Sequence, residues 1–132
     1  MKKIVFFSLL ILFFLYKTQN VFAYQDAFTV DKIIIEGKIK QNNYKEKFIN
    51  VAFRMGFEKL LSNILKIEDQ KKIFSTELAI IKSLVQSYRI VEEQEIEGKY
   101  RAEISLSFKE ESINQFFQKK GISYSASQSF ET

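Results

Sequence analysis

Ten residues near the C-terminal end, Lys99 to Phe108, constrain the fold more than any other segment. Tyr100, Ala102, Ile104, Leu106 and Phe108 alternate without a break against Arg101, Glu103, Ser105 and Ser107. Strand side chains point alternately to opposite faces, so this pattern demands an antiparallel sheet with one covered and one wet face. Glu97-Gly98 supplies a turn, and Tyr88 to Glu95 supplies the other arm of a hairpin. That first arm is acidic at Glu92, Glu93 and Glu95, which predicts cross-strand pairing with Lys99 and Arg101.

The covering layer has to come from the segments around this hairpin. Thr29 to Gly37 is β-branched at Thr29, Val30, Ile33, Ile34 and Ile35 and reads as a strand. Three consecutive isoleucines predict burial on both faces, hence a central position. Asn43 followed by Glu46 has the spacing of a capping box, opening a helix that runs to about Ser62 with Asn63 as its left-handed stop. This helix carries two apolar stripes, one through Tyr44, Phe48, Val51, Ala52 and Met55, the other through Ile49, Phe53, Phe57, Leu60, Leu61 and Ile64. Two stripes mean cover on more than one side. Gly56 costs about 1 kcal/mol in a helix interior, which close packing against a neighbouring backbone would justify.

Lys66 to Lys72 reads as a charged connector. A second helix is expected from Ser75 to Gln86, with Phe74, Leu78, Ile81, Val85 and Tyr88 on one buried stripe. A last helix spans Glu110 to Lys120, with acids at its start, lysines at its end and Gly121 as cap. Ile122, Tyr124, Ala126 and Phe130 then alternate with serines as a final strand. The expected order is β-α-α-β-β-α-β, an α+β two-layer sandwich with an antiparallel sheet and helices on one face.

The first 23 residues are set apart from this domain. Met1-Lys2-Lys3 is basic, Ile4 to Tyr16 is apolar except for Ser8, and Val21-Phe22-Ala23 places small residues at −3 and −1. This is the pattern of a secretory signal peptide cleaved after Ala23, leaving 24–132 as one small domain. The apolar run is shorter than the about 20 residues of a membrane span, so no permanent span is expected after cleavage. Cleavage removes Lys2, Lys3 and Lys17 and no acid, which leaves 17 basic against 16 acidic side chains. A balance this even lacks the cationic surplus that nucleic acid requires.

Composition narrows the chemistry further. The chain has no His, Cys, Pro or Trp. Zinc or iron sites of His or Cys, thiol catalysis, His-ligated haem and Ser-His-Asp catalysis all need residues it lacks. Asp26, Asp31 and Asp69 fall in no calcium-loop or phosphate-loop pattern. The glutamates from Glu92 to Glu97 have the chemistry of a metal or acid–base pair, although such a run is more often a solvated strand and turn. No catalytic, metal or cofactor-binding residue is therefore assigned, and the chain is expected not to be an enzyme.

Four segments resemble a known family. Phe57 to Asn63 is similar to a "VLVRLSG"-like segment, Leu84 to Ile90 to "VQxYRY", Ile104 to Phe108 to "LxVxFD", and Phe116 to Ile122 to "LLRQAGIP". In this order and spacing, over about residues 29–126, they resemble the proteobacterial family called domain of unknown function 2066. Asn63, Lys109 and Ser123 stand where that pattern has Gly, Asp and Pro. The resemblance implies an exported cell-envelope protein and brings no activity or catalytic residues.

Two readings of the C-terminal segment stand: an edge strand that pairs with another envelope protein, or a frayed tail over 125–132. The first makes Tyr124, Ala126 and Phe130 partner-binding candidates. Phe117 joins them, because adjacent Phe116 and Phe117 cannot both point the same way. The expected function is an exported, periplasmic, non-enzymatic protein-interaction or assembly module. The alternative is a carrier of a small apolar ligand, with the two-striped helix lining a cavity.

Overall fold

The chain is seen in a computed structural model that describes residues 26–123. Strand β1 (Thr29–Lys38) leads into a long helix α1 (Tyr44–Ile64) and two short helices, α2 (Ile67–Ile73) and α3 (Leu78–Leu84). Strands β2 (Val85–Ile96) and β3 (Lys99–Phe108) form a hairpin, and helix α4 (Glu110–Lys119) follows. The sheet has the order β1-β3-β2, and β3 is antiparallel to both neighbours. Helices on one face of this antiparallel sheet make the α+β sandwich expected from sequence. Of the expected last strand, Ile122 is buried and Ser123 exposed, neither of them in a strand, and 124–130 lie outside the described residues.

β3 occupies the centre because its alternation is complete. Tyr100, Ala102, Ile104, Leu106 and Phe108 are all buried, and the intervening residues face outward. The β2–β3 turn has positive φ at Glu97 (52°) and Gly98 (75°), the conformation that suits a two-residue hairpin to strand twist. Among the described residues β1 lies at an edge of the sheet, where a central position was expected. Its register shifts between Val30 and Ile33, with Lys32 at φ 58°. That irregularity puts Val30, Ile33 and Ile35 together on the core face and leaves Ile34 on the outer face, 37% exposed.

The ends of α1 also differ from the sequence reading. Asn43 sits at φ −98°, ψ 35° and its side chain makes no capping bond, so the capping box does not form. Tyr44 instead anchors the first turn by donating its hydroxyl to Glu95 Oε2 at 3.0 Å. Asn63 stays helical, and extended Leu65 ends α1 with its N–H still bonded to Leu61 O.

Two further segments change class. The charged connector forms α2, with Glu68 and Asp69 in the first turn and Lys71 and Lys72 in the last, an arrangement that suits the helix dipole. The second helix stops at Leu84, and Val85 to Tyr88 joins β2 rather than extending the stripe. Ile81 and Leu84 are buried, whereas Phe74 is 62% exposed. Val85 to Ile90 gains a ladder with β3, and Leu84 O accepts a bond from Lys109 N–H.

α4 ends as expected. Gly121 has φ 71°, its N–H bonds Gln118 O, and Ile122 N–H bonds Phe117 O. These two bonds form a Schellman motif, and burial of Ile122 and Phe117 supplies its apolar contact. Phe116 and Phe117 are both in the core. Their ring centroids are 6.3 Å apart with planes inclined by 46°, and the core reaches around α4 far enough to take both.

α1 lies on the sheet at Gly56. A Cβ there would be 2.5 Å from Leu106 Cδ2 and 2.9 Å from Ile33 Cδ1, on side chains that are themselves buried. Gly56→Ala should therefore destabilise the protein by about 1–3 kcal/mol through overpacking, against the roughly 1 kcal/mol that alanine normally gains in a helix. Urea unfolding measures this, and an unchanged or higher midpoint would refute the close approach.

Candidate functional site

The acidic run of β2 is divided between the two faces of the sheet. Glu93 and Glu95 lie opposite Ala102 and Tyr100, on the helix side. Glu92 and Gln94 lie opposite Glu103 and Arg101, on the outer side. A register shift between Ile90 and Glu92 sets this division, with Val91 as the extra residue.

On the helix side the acids bind the start of α1. Tyr100 donates its hydroxyl to Glu93 Oε2 at 2.7 Å, and Lys45 Nζ lies 3.5 Å from Glu93 Oε1. The rings of Tyr44 and Phe48 each lie 5.3 Å from that of Tyr100. Burial, and then the Glu93 carboxylate, push the Tyr100 hydroxyl well above the usual tyrosine range. The hydrogen bond from Tyr100, aided by Lys45, holds Glu93 below its ordinary value. Loss of surrounding water and the Glu95 carboxylate raise Tyr44. These glutamates thus pair with α1 and Tyr100, not with Lys99 and Arg101 as the sequence suggested. Among the described residues no group of His, Cys, Asp or Glu is placed to hold a metal ion.

The outer side is polar and open. Ser105 Oγ donates to Asp31 Oδ1 at 2.5 Å, and the hydroxyls of Thr29 and Ser107 are 3.2 Å apart. Glu92 faces Glu103 directly across the ladder, a like-charge contact that is unfavourable. Neither takes part in an ion pair among the described residues.

β2 itself is the most exposed element of the fold. Val85 is half-buried, and the remaining eleven residues are exposed. They include Tyr88, Ile90, Val91 and Ile96, the last 60% exposed. Tyr88 and Ile90 lie on the helix side, where Tyr88 packs edge-on against Phe53. Among the described residues no strand pairs with the outer edge of β2, so its backbone groups there face outward. The other sheet edge is interrupted by Lys32 and by Lys59, whose Nζ donates to Asp31 O at 3.3 Å.

Of the partner-binding candidates read from sequence, Phe117 is a core residue, 1% exposed. Tyr124, Ala126 and Phe130 lie outside the described residues. The exposed apolar residues of β2 escaped the sequence reading because Ile90 and Val91 are adjacent, which hides the period of two. The α1 stripe through Tyr44, Phe48, Val51, Ala52 and Met55 is split, with Ala52 in the core and Val51 and Met55 at the surface. A shallow depression along α4, lined by Glu110, Glu111, Asn114, Gln115 and Gln118, is formed by one helix face only.

The Tyr100–Glu93 bond gives a pH dependence of known sign. Tyr100 is raised in the folded chain, so its contribution is complete below about pH 10 and is lost as pH climbs higher. Glu93 is lowered, so its contribution is present above the ordinary carboxylate value and is lost as pH falls below it. Tyr100→Phe should lower thermal stability at neutral pH and flatten both flanks. Melting curves from pH 3 to 11 check this, and a variant with wild-type flanks would disprove the assignment. Compared with known proteins, the chain matches no family model, no curated protein and no solved structure.

Proposed function

We propose that this chain is an exported, periplasmic, non-enzymatic protein-interaction or assembly module of the cell envelope, and that β2 is its docking edge. The observation that carries the reading is the exposure of β2 along its length, with Tyr88, Ile90, Val91 and Ile96 exposed beside an edge that no described strand pairs. An added strand would gain backbone hydrogen bonds along that edge and take specificity from the alternating side chains. The signal-like pattern of residues 1–23 and the resemblance to domain of unknown function 2066 support the compartment.

A photoreactive residue at position 91 in intact cell envelopes tests the edge directly. Crosslinking to a protein strand is expected, and mass spectrometry of the product should find Tyr24 as the mature N-terminus. The double variant Val91→Lys, Ile96→Lys should cut recovery of the crosslinked partner by about tenfold, because lysine on an edge opposes strand addition. Both positions are exposed, so each change should shift folding stability by no more than about 0.5 kcal/mol. Crosslinks to lipid alone, or none at all, would end the interaction reading.

A further inference from the structure

We propose that the strand docking on β2 is β2 of a second copy of this chain, paired antiparallel about a two-fold axis so that two sheets become one. The inference rests on β2 being a docking edge and names its occupant. With the axis between Ile90 and Val91, each Ile90 meets Val91 of the second copy and each Arg89 meets its Glu92. Tyr88 then meets Glu93, and Ser87 meets Gln94.

The register shift makes this pairing possible. In a regular strand, residues an odd number apart point to opposite faces, so Arg89 and Glu92 could not meet across a two-fold axis. Here Arg89 lies opposite Ser105 and Glu92 opposite Glu103, so both stand on the outer face. Tyr88 and Glu93 share the helix side in the same way, opposite Leu106 and Ala102. Arg89 is the only cation in β2, and Glu92 is the only β2 acid on its face. One register therefore brings opposite charges together, and it brings them together twice.

Both groups are available for it. Neither Arg89 nor Glu92 has an ion-pair partner among the described residues. The arginine of the second copy would also offset the unfavourable Glu92–Glu103 contact. A symmetric interface is self-complementary by construction, and the opposite charges at positions 89 and 92 satisfy that requirement.

Sedimentation velocity on the full chain, purified from cells that process it, tests the pairing. A reversible dimer with a Kd of roughly micromolar order is expected for wild type. Arg89→Glu and Glu92→Arg should each weaken it by about tenfold or more, since each places like charges in both contacts. Mixing the two variants should restore dimer, because only the mixed pair has opposite charges at both contacts. The double variant Arg89→Glu, Glu92→Arg restores attraction within one chain type and serves if either single variant folds poorly. A wild-type monomer at about 100 μM would overturn the proposal. So would single variants as dimeric as wild type, or a mixture no more dimeric than its components. A monomer whose position 91 still crosslinks to a different protein would overturn the second copy as occupant and leave the docking edge standing.

Discussion

The close approach of α1 to the sheet at Gly56 holds the two layers in place. Removing the side chain at this one position lets Leu106 of β3 and Ile33 of β1 fill the space beneath the helix. From there Phe57 reaches the rings of Phe108 and Phe116, which ties α4 to the same core. Phe48 packs over Gly37 and Tyr100 at the opposite end. α1 is thus centred over β1 and β3, and it meets β2 at two places, Phe53 against Tyr88 and the first turn against Glu93 and Glu95. The exposure of β2 follows from where the helix sits.

The inserted Val91 is the second determinant. Were β2 to alternate regularly through Val91, without the register shift, Glu93 and Glu95 would point away from the face of Tyr88 and Ile90. With it, two glutamates secure the first turn of α1 through Tyr44, Lys45 and Tyr100. Glu92 is left on the outer face beside Glu103. The helix anchor and the outer-face position of Glu92 therefore both follow from one register shift.

Much of the fold was legible because its strongest patterns are local. The fault-free alternation of β3, the Glu97-Gly98 turn, the long apolar α1 and the Gly121 cap each depend on neighbours in sequence. What failed depended on partners far away. Val85 to Tyr88 fits a helical stripe, yet a ladder with Phe108 to Leu106 draws it into β2. Three isoleucines resemble a central strand, but the Asp31-Lys32 irregularity changes which of them face inward. Asn43 and Glu46 have capping spacing, and the tertiary bond from Tyr44 to Glu95 secures the helix start instead. The candidate site was less legible still, because exposure of β2 reflects the placement of α1 rather than any motif within β2.

The strand order has a consequence for how the chain assembles. β2 and β3 are joined by two residues and can zip together as soon as both are made. β1 must wait for its partner, since Thr29 and Ser107 are 78 positions apart. Closing so long a loop before its contacts form is entropically costly, and such pairings are slow. During synthesis the N-terminal strand emerges first and is satisfied last, with Ile33 and Ile35 uncovered until β3 arrives. The chain is consequently most open to capture by other molecules before its final third has been completed.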